Sequence, residues 1–459
     1  MSSMTKRAKS LTEGSIPLGM FIFGLPLVLS NLVQVLFNMA DIAVVGKFSG
    51  SLALGAVGST GMLVNLFTGF LIGVSGGINV LVARSIGAKN KNDTKLYIHT
   101  SAVISLIIGL IIAVFGVIFS RTILSLMNTK PDLIDGATAY LRIYFLGMPA
   151  LSVYNFGNAC LSASGETKKP LYFMLFAGAL NVVLNLFFVI VCNLSVVGVA
   201  LATVIAQYVS AFLIIRCLVK GSGDVVLCFS ELSVDKEKMK NLLAVSIPSG
   251  FQNAVFFIAN IFVQIGVNSF DTIMVSGNAA ASNADGIVYD VMAAFYMAGA
   301  SFIGQNFGAG NKKRVMKSYI WCLIYSFGFG AAIGFSLAIF GESFIYLFTT
   351  EADVVEAGMQ KLRIMGFSYC ISAFMDGTIA ASRGLGRSVV PMYIVIGGSC
   401  IFRLVWLYTV FAYFHTIKSL YLLYSASWTI TAIAEIIYFI VIYRRECKSG
   451  LLSSKAILQ

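Results

Sequence analysis

Four side chains that can hold or pass on an ion recur at helical spacing within one apolar stretch. Leu25 to Gly46 carries Asn31, Gln34, Asn38 and Asp41, at spacings of 3, 4 and 3. At roughly 100° per residue these fall within about 80° of one another on a helix. A carboxylate facing lipid costs several kcal/mol, so Asp41 is expected to face a protein interior or a water-filled cavity. There it can take up and release a proton, or it can ligate Na⁺ alongside amide oxygens, hard ligands for a hard ion. Asn181 and Asn185 offer such oxygens, one helical turn apart on a shared face of a later apolar stretch.

Other polar groups stand at similar spacings. Gln34, Asn38 and Asn155 can line a substrate cavity, and Asn155, Asn158 and Ser162 can equally knit helices together. The second half of the chain has a charge cluster of its own, Asp290, Asp376, Arg403 and Glu435, all inside apolar stretches. Counting 1.5 Å per residue from the nearest inner-side basic residue or span end puts Asp376 and Glu435 at roughly 10–14 Å depth and Arg403 at about 18 Å. An arginine so deep is expected to pair with Asp376, Glu435 or Asp290. The cluster reads either as a static salt-bridge group or as a second site, with Asp376 and Arg403 in the substrate cavity. Pro26 and Pro248 sit at matching places in the first helix of each half, where a proline kinks a helix and can serve as a hinge.

The elements that must position these residues are membrane spans. The 459 residues are 58% hydrophobic and only 11% charged, against about 25% charged in a typical soluble chain. Twelve apolar stretches are readable, near 17–46, 52–83, 97–119, 137–160, 171–192, 195–217, 243–269, 274–304, 318–340, 358–382, 391–413 and 419–443. If the N-terminus is cytoplasmic, 24 of the 32 lysines and arginines fall in inner segments, Lys6, Arg7, Lys9 and Lys455 among them. That bias predicts both termini inside and makes the net charge of +12 a matter of topology rather than of nucleic-acid binding. Eight scattered cysteines without a CxxC read as core residues. With two histidines no His-rich metal cluster can form, and without a phosphate-binding loop ATP-driven transport by this chain alone is not expected.

The chain also repeats itself. ARSIGAKNK at 83–91 is echoed by GQNFGAGNK at 304–312, and YLRI at 140–143 by KLRI at 361–364, both 221 residues on. LPLVLSN at 25–31 aligns with IPSGFQN at 247–253, 222 residues on. Six spans per half is an even number, so both halves enter the membrane from the same side. The predicted fold is an all-α integral membrane protein. Twelve transmembrane helices form two six-helix lobes about a pseudo-two-fold axis along the membrane normal. The expected divisions are an N-terminal lobe at 1–217, a cytoplasmic linker at 218–242 and a C-terminal lobe with a basic tail at 243–459. Within the repeat, Asn31 and Asn38 recur as Asn253 and Asn260, but Asp41 falls on Val263.

The pattern ending DIAVVGKFSG, the twin loops, and SASGETKKP with SRGLGRSVVP resemble the multidrug and toxic compound extrusion (MATE) family across nearly the whole chain. The resemblance implies a V-shaped pair of lobes that exports organic cations or other amphipathic, drug-like compounds in exchange for H⁺ or Na⁺. In one branch of that family an acid on the first helix works with an Asn and an Asp on the fifth. Asp41 and Asn181 match, whereas the third position is Asn185. In the NorM-like branch a Glu follows the seventh-helix proline by eight residues, where this chain has Phe256. Neither acidic set is complete, so the coupling ion stays open and the N-lobe charge rests on Asp41.

The expected protein is therefore a rocking secondary antiporter rather than an enzyme. It is expected as a monomer in a bacterial inner membrane, with a small-molecule substrate, no nucleic-acid partner and no cofactor beyond the coupling H⁺ or Na⁺. The rival within the same superfamily is a lipid-linked oligosaccharide flippase. That would call for a more cationic cavity than Arg403 alone provides.

Overall fold

A computed structural model describes residues 10–221 and 223–448; the basic Lys6, Arg7, Lys9 and Lys455 lie outside the described residues. Each long apolar stretch forms a helix, because a backbone in lipid must satisfy its own hydrogen bonds. In chain order these are α1 (Ile16–Phe48), α2 (Gly50–Gly87), α3 (Lys91–Leu126), α4, α5 (Lys168–Val191) and α6 (Ser195–Val219). They continue as α7 (Lys236–Val267), α8 (Thr272–Gly308), α9 (Lys312–Ile345), α10 (Ala352–Gly384), α11 (Val389–Phe414) and α12 (Ile417–Lys448). The fourth span is two pieces, Pro131–Leu146 and Met148–Ala163, interrupted at Gly147 just ahead of Pro149. Its counterpart α10 runs unbroken, with Cys370 where α4 has Pro149. Counting the broken fourth span, twelve membrane helices are thus present among the described residues, as the hydropathy pattern predicts.

By contacts the chain forms two compact units. One comprises Leu29–Gly250, and the other Leu11–Val28 together with Phe251 onward, so the divisions fall two residues beyond Pro26 and Pro248. Both prolines lie inside continuous helices. The segment between α6 and α7 is docked rather than free. Leu227 is buried, and the Cys228 amide donates to Nε2 of His99 on α3 at 3.1 Å.

The sequence repeat is a repeat of structure. After α2 the amides of Lys89 and Asn90 close onto Ile86 and Ser85, and Asn90 then accepts the Asp93 amide to cap α3. After α8 the amides of Gly310 and Asn311 close onto Phe307 and Asn306, and Asn311 caps α9 by accepting from Arg314. The same turn needs a left-handed residue, Lys89 at φ 56° in one copy and Gly310 at φ 71° in the other.

Within each unit some helices are central and others face outward. The apolar window of α10 is 78% buried and that of α9 only 17%, so α10 forms the middle of the second unit and α9 its lipid-facing side. These two helices meet closely. A Cβ on Gly334 would stand 2.5 Å from the Gly366 carbonyl oxygen, and one on Gly366 would stand 2.6 Å from the Gly334 oxygen. Gly366→Leu is expected to cost about 1–3 kcal/mol, read as a lower thermal-unfolding midpoint in detergent. Gly58→Ala, with open space around its Cβ, should leave the midpoint in place. Equal midpoints for the two variants would refute this packing.

Candidate functional site

In the first unit the expected trio comes together. Asp41 on α1 accepts a hydrogen bond from Nδ2 of Asn185 on α5 through its Oδ1. Its Oδ2 faces the Thr203 hydroxyl of α6 at 3.4 Å. Asn181 donates to Thr203 at 3.3 Å, and Asn185 also donates to the Asn181 carbonyl oxygen at 3.3 Å. Gly178 allows this closeness: the Phe37 ring lies where a side chain would project, one turn before Asp41 on α1, and Gly178 itself stands one turn before Asn181 and two before Asn185 on α5. Both asparagines are buried, and Asn185 Oδ1 is a buried acceptor with no donor. The carboxylate and that unsatisfied oxygen together form a site for a small cation or a proton. Tyr140 and Tyr144 of α4, with rings 5.9 Å apart, lie near enough to feel the Asp41 charge.

The other first-unit candidates are not part of this cluster. Gln34 and Asn38 are exposed on α1. Asn155 is half-buried on α4 with its Nδ2 lacking an acceptor, while Asn158 accepts from Ser162 at 3.3 Å, a bond within the helix.

In the second unit the expected pairing of Arg403 does not occur. Arg403 is 1% exposed, yet among the described residues it is in no ion pair. Its Nη1 donates to Asn260 of α7 at 2.8 Å, its Nε to Ser427 of α12 at 3.3 Å, and the Tyr424 ring lies 4.6 Å away. The reason is stagger. Ser427 precedes Glu435 by two turns of α12, about 12 Å along the axis. Asp376 and Glu435 instead share the influence of Arg383, which donates to Gln252 at 3.4 Å. Glu435 is fully buried with no donor to either oxygen, and Asp376 Oδ2 also lacks one. Asp290 lies on α8 beside Tyr289, which feels both aspartates.

A second polar network escapes a reading of the sequence, which places Lys361 among outer helix ends. Lys361 on α10 is 3% exposed and pairs with Asp285 of α8 at 2.6 Å, while also donating to Ser282 at 2.7 Å. The Tyr369 hydroxyl bonds the same carboxylate, and Tyr421, whose ring lies 6.0 Å from the Lys361 ammonium, donates to Asn278. The signal in the sequence is that KLRI repeats YLRI, which puts Lys361 at the position of Tyr140, a residue within reach of the Asp41 charge.

The two units can be compared position by position along their fifth helices. Exposed Tyr172 and Phe176 of α5 correspond to exposed Tyr393 and Gly397 of α11, 221 residues on. Beyond, exposed Val183, Leu186 and Phe187 correspond to Val405, Tyr408 and Thr409, 222 residues on. The shift falls in the π turn Ile396–Ile401, a wide turn that carries one extra residue. Arg403 therefore occupies the place of Asn181, and both are buried.

Twelve membrane helices in two six-helix units of one design, with charged residues held inside each, define a multi-pass transporter scaffold rather than a single-pass or soluble protein. The MatE family model matches residues 26–187 and again 248–409, starting 222 residues apart (248 against 26). The chain belongs to the MatE family, the multidrug and toxic compound extrusion transporters. It is 30% identical to the probable multidrug resistance protein YpnP of Bacillus subtilis, over 79% of this chain and 81% of that one. It is 24% identical to a FAD transporter of Shewanella oneidensis, over 74% and 77% of the respective chains. A crystal structure of a MATE protein in a bent conformation superposes with a TM-score of 0.89 at 22% identity, covering 97% of this chain and 99% of that one.

Lys361 is buried and Asp285 half-buried, so removing the ammonium strands a partly solvated carboxylate, at a cost of about 1–3 kcal/mol. Lys361→Met should therefore lower the thermal midpoint markedly. Lys361→Met with Asp285→Leu should recover most of the loss, and a double variant no better than the single would disprove the pairing.

Proposed function

We propose that this chain is a secondary antiporter that exports organic cations or other amphipathic compounds in exchange for an inward-moving H⁺ or Na⁺. The reading rests above all on one observation: Asp41 sits inside a membrane helix facing three neutral side chains, and the Asn185 Oδ1 beside it has no donor. A proton on Asp41 would satisfy the carboxylate, and Na⁺ would be ligated by Asp41 with Asn181, Asn185 and Thr203 oxygens. Ion binding and substrate binding then compete, so the inward gradient drives export. The relatives' description as multidrug resistance proteins supports the substrate class. The loop charges support a cell-membrane protein with both termini cytoplasmic, and the bacterial relatives support a bacterial membrane. Pro26 and Pro248 are the proposed hinges for rocking between inward- and outward-facing states. The work is transport and makes no covalent bond.

The test is uptake of a fluorescent organic cation by proteoliposomes, with pH and Na⁺ gradients imposed one at a time. One gradient should drive transport by the native chain, and Asp41→Asn should fold normally yet lose that response. Export by the Asp41→Asn protein at the native rate would remove Asp41 from the mechanism. Indifference of the native protein to both gradients would reject antiport.

A further inference from the structure

A buried arginine stays charged, and its charge has to be answered by something. Among the described residues Arg403 is met by neutral groups alone: the Asn260 carbonyl oxygen, the Ser427 hydroxyl and the Tyr424 ring. These bonds use two of the guanidinium's five N–H groups. Lys361 has Asp285 beside it. Among the described residues neither Arg383 nor Arg403 is in an ion pair: Arg383 donates to Gln252 at 3.4 Å with Asp376 and Glu435 acting on it from a distance, and Arg403 feels Asp376 alone of the acids. The cover over Arg403 is an exposed amide and a half-buried ring: Asn260 is exposed, and its carbonyl oxygen also faces the Tyr424 hydroxyl at 3.5 Å. The position is also informative. The first unit has an acid at Asp41 and a neutral amide at Asn181; the second has Val263 and Arg403 at the corresponding places. One pair of corresponding helix positions thus carries a negative charge in the first unit, on α1, and a positive charge in the second, on α11.

We propose that Arg403, with Asn260, Ser427 and Tyr424, forms a subsite in the second unit for an oxyanion, a carboxylate or a phosphate, carried by the transported compound. The anionic group displaces the Asn260 carbonyl oxygen from Nη1 and is held by the guanidinium edge, a geometry that arginine offers and lysine does not. Tyr424 keeps the guanidinium plane in place from the side. Substrates on this view are amphoteric or anionic as well as cationic. The inference deepens the export reading by naming a feature of the cargo, and it depends on small-molecule binding alone, not on ion coupling.

The experiment is equilibrium binding to the purified full chain in detergent, without any gradient, using two matched pairs of fluorescent probes. Rhodamine 110 has a free carboxylate that its methyl ester, rhodamine 123, lacks; flavin mononucleotide has a phosphate that riboflavin lacks. The native protein is expected to favour the anionic member of at least one pair by about tenfold, the scale of one hydrogen bond to a charged group. A preference confined to the rhodamines identifies a carboxylate site, and one confined to the flavins a phosphate site. Arg403→Gln should abolish the preference while leaving the neutral or esterified partner bound as before. Arg403→Lys, which keeps the charge and protects against a folding failure, should retain a smaller preference. Equal affinity within both pairs, failure to bind any of the four probes, or a preference that survives Arg403→Gln overturns the proposal. Because no gradient is applied, a positive result stands even if the transport experiment rejects antiport, and a negative one leaves antiport intact.

Discussion

Everything in this fold depends on the cost of charge in a medium that cannot solvate it. Helices in lipid satisfy their own backbones, but a carboxylate, ammonium or guanidinium on them must find an answer among neighbouring helices. The chain meets that demand in three ways. Lys361 and Asp285 answer each other directly. Asp41 is answered by amide and hydroxyl dipoles from α5 and α6. Arg403 is answered by dipoles and an aromatic face. The first arrangement is suited to holding helices together, while the other two leave a charge incompletely neutralised. Close helix contacts make all of them possible, as where Gly178 admits Phe37 and so brings α5 against α1.

The duplication shows what can vary while a scaffold stays fixed. The turns after α2 and α8 keep the same hydrogen bonds and the same capping asparagine. The polar positions Asn38 and Asn260 persist as well. What differs is the charge between them: Asp41 against Val263, Asn181 against Arg403, Tyr140 against Lys361. The architecture comes from the repeated features and the chemistry from the unrepeated ones. Asymmetry between the units is thus a better guide to function than polarity as such.

The sequence shows this unevenly. Twelve spans, the repeat and the polar faces of single helices are legible because charge and amide groups stand out in apolar runs, and because helical spacing fixes which of them share a face; that Asp41 joins Asn181 and Asn185 across two helices is implied by the family resemblance alone. Thr203 gave no signal, since a threonine in a membrane helix ordinarily bonds its own backbone, as Thr203 also does with Val199. Lys361 looked like an outer charge because linear distance from a helix end says nothing about which neighbour lies alongside; Asp285 draws it inward. For Arg403 the depth argument demands a carboxylate partner, Asp376, Glu435 or Asp290, and the structure gives it Asn260 and Ser427 instead, because the relative stagger of α11 and α12 is not written in either helix. The break in α4 at Gly147, ahead of Pro149, could be suspected from composition, whereas the wide turns of α11 have no clear signature in the sequence.

Those wide turns have a mechanical consequence. Arg403 stands on a short α-helical segment, Phe402–Trp406, with the π turn Ile396–Ile401 before it and another, Leu407–Phe411, after it. A π turn is wound more loosely than the α-helix on either side, and such places are where a long helix bends. The segment is therefore mounted between two compliant couplings within an otherwise stiff rod. The side chain carried on the short segment between the two looser turns is the guanidinium.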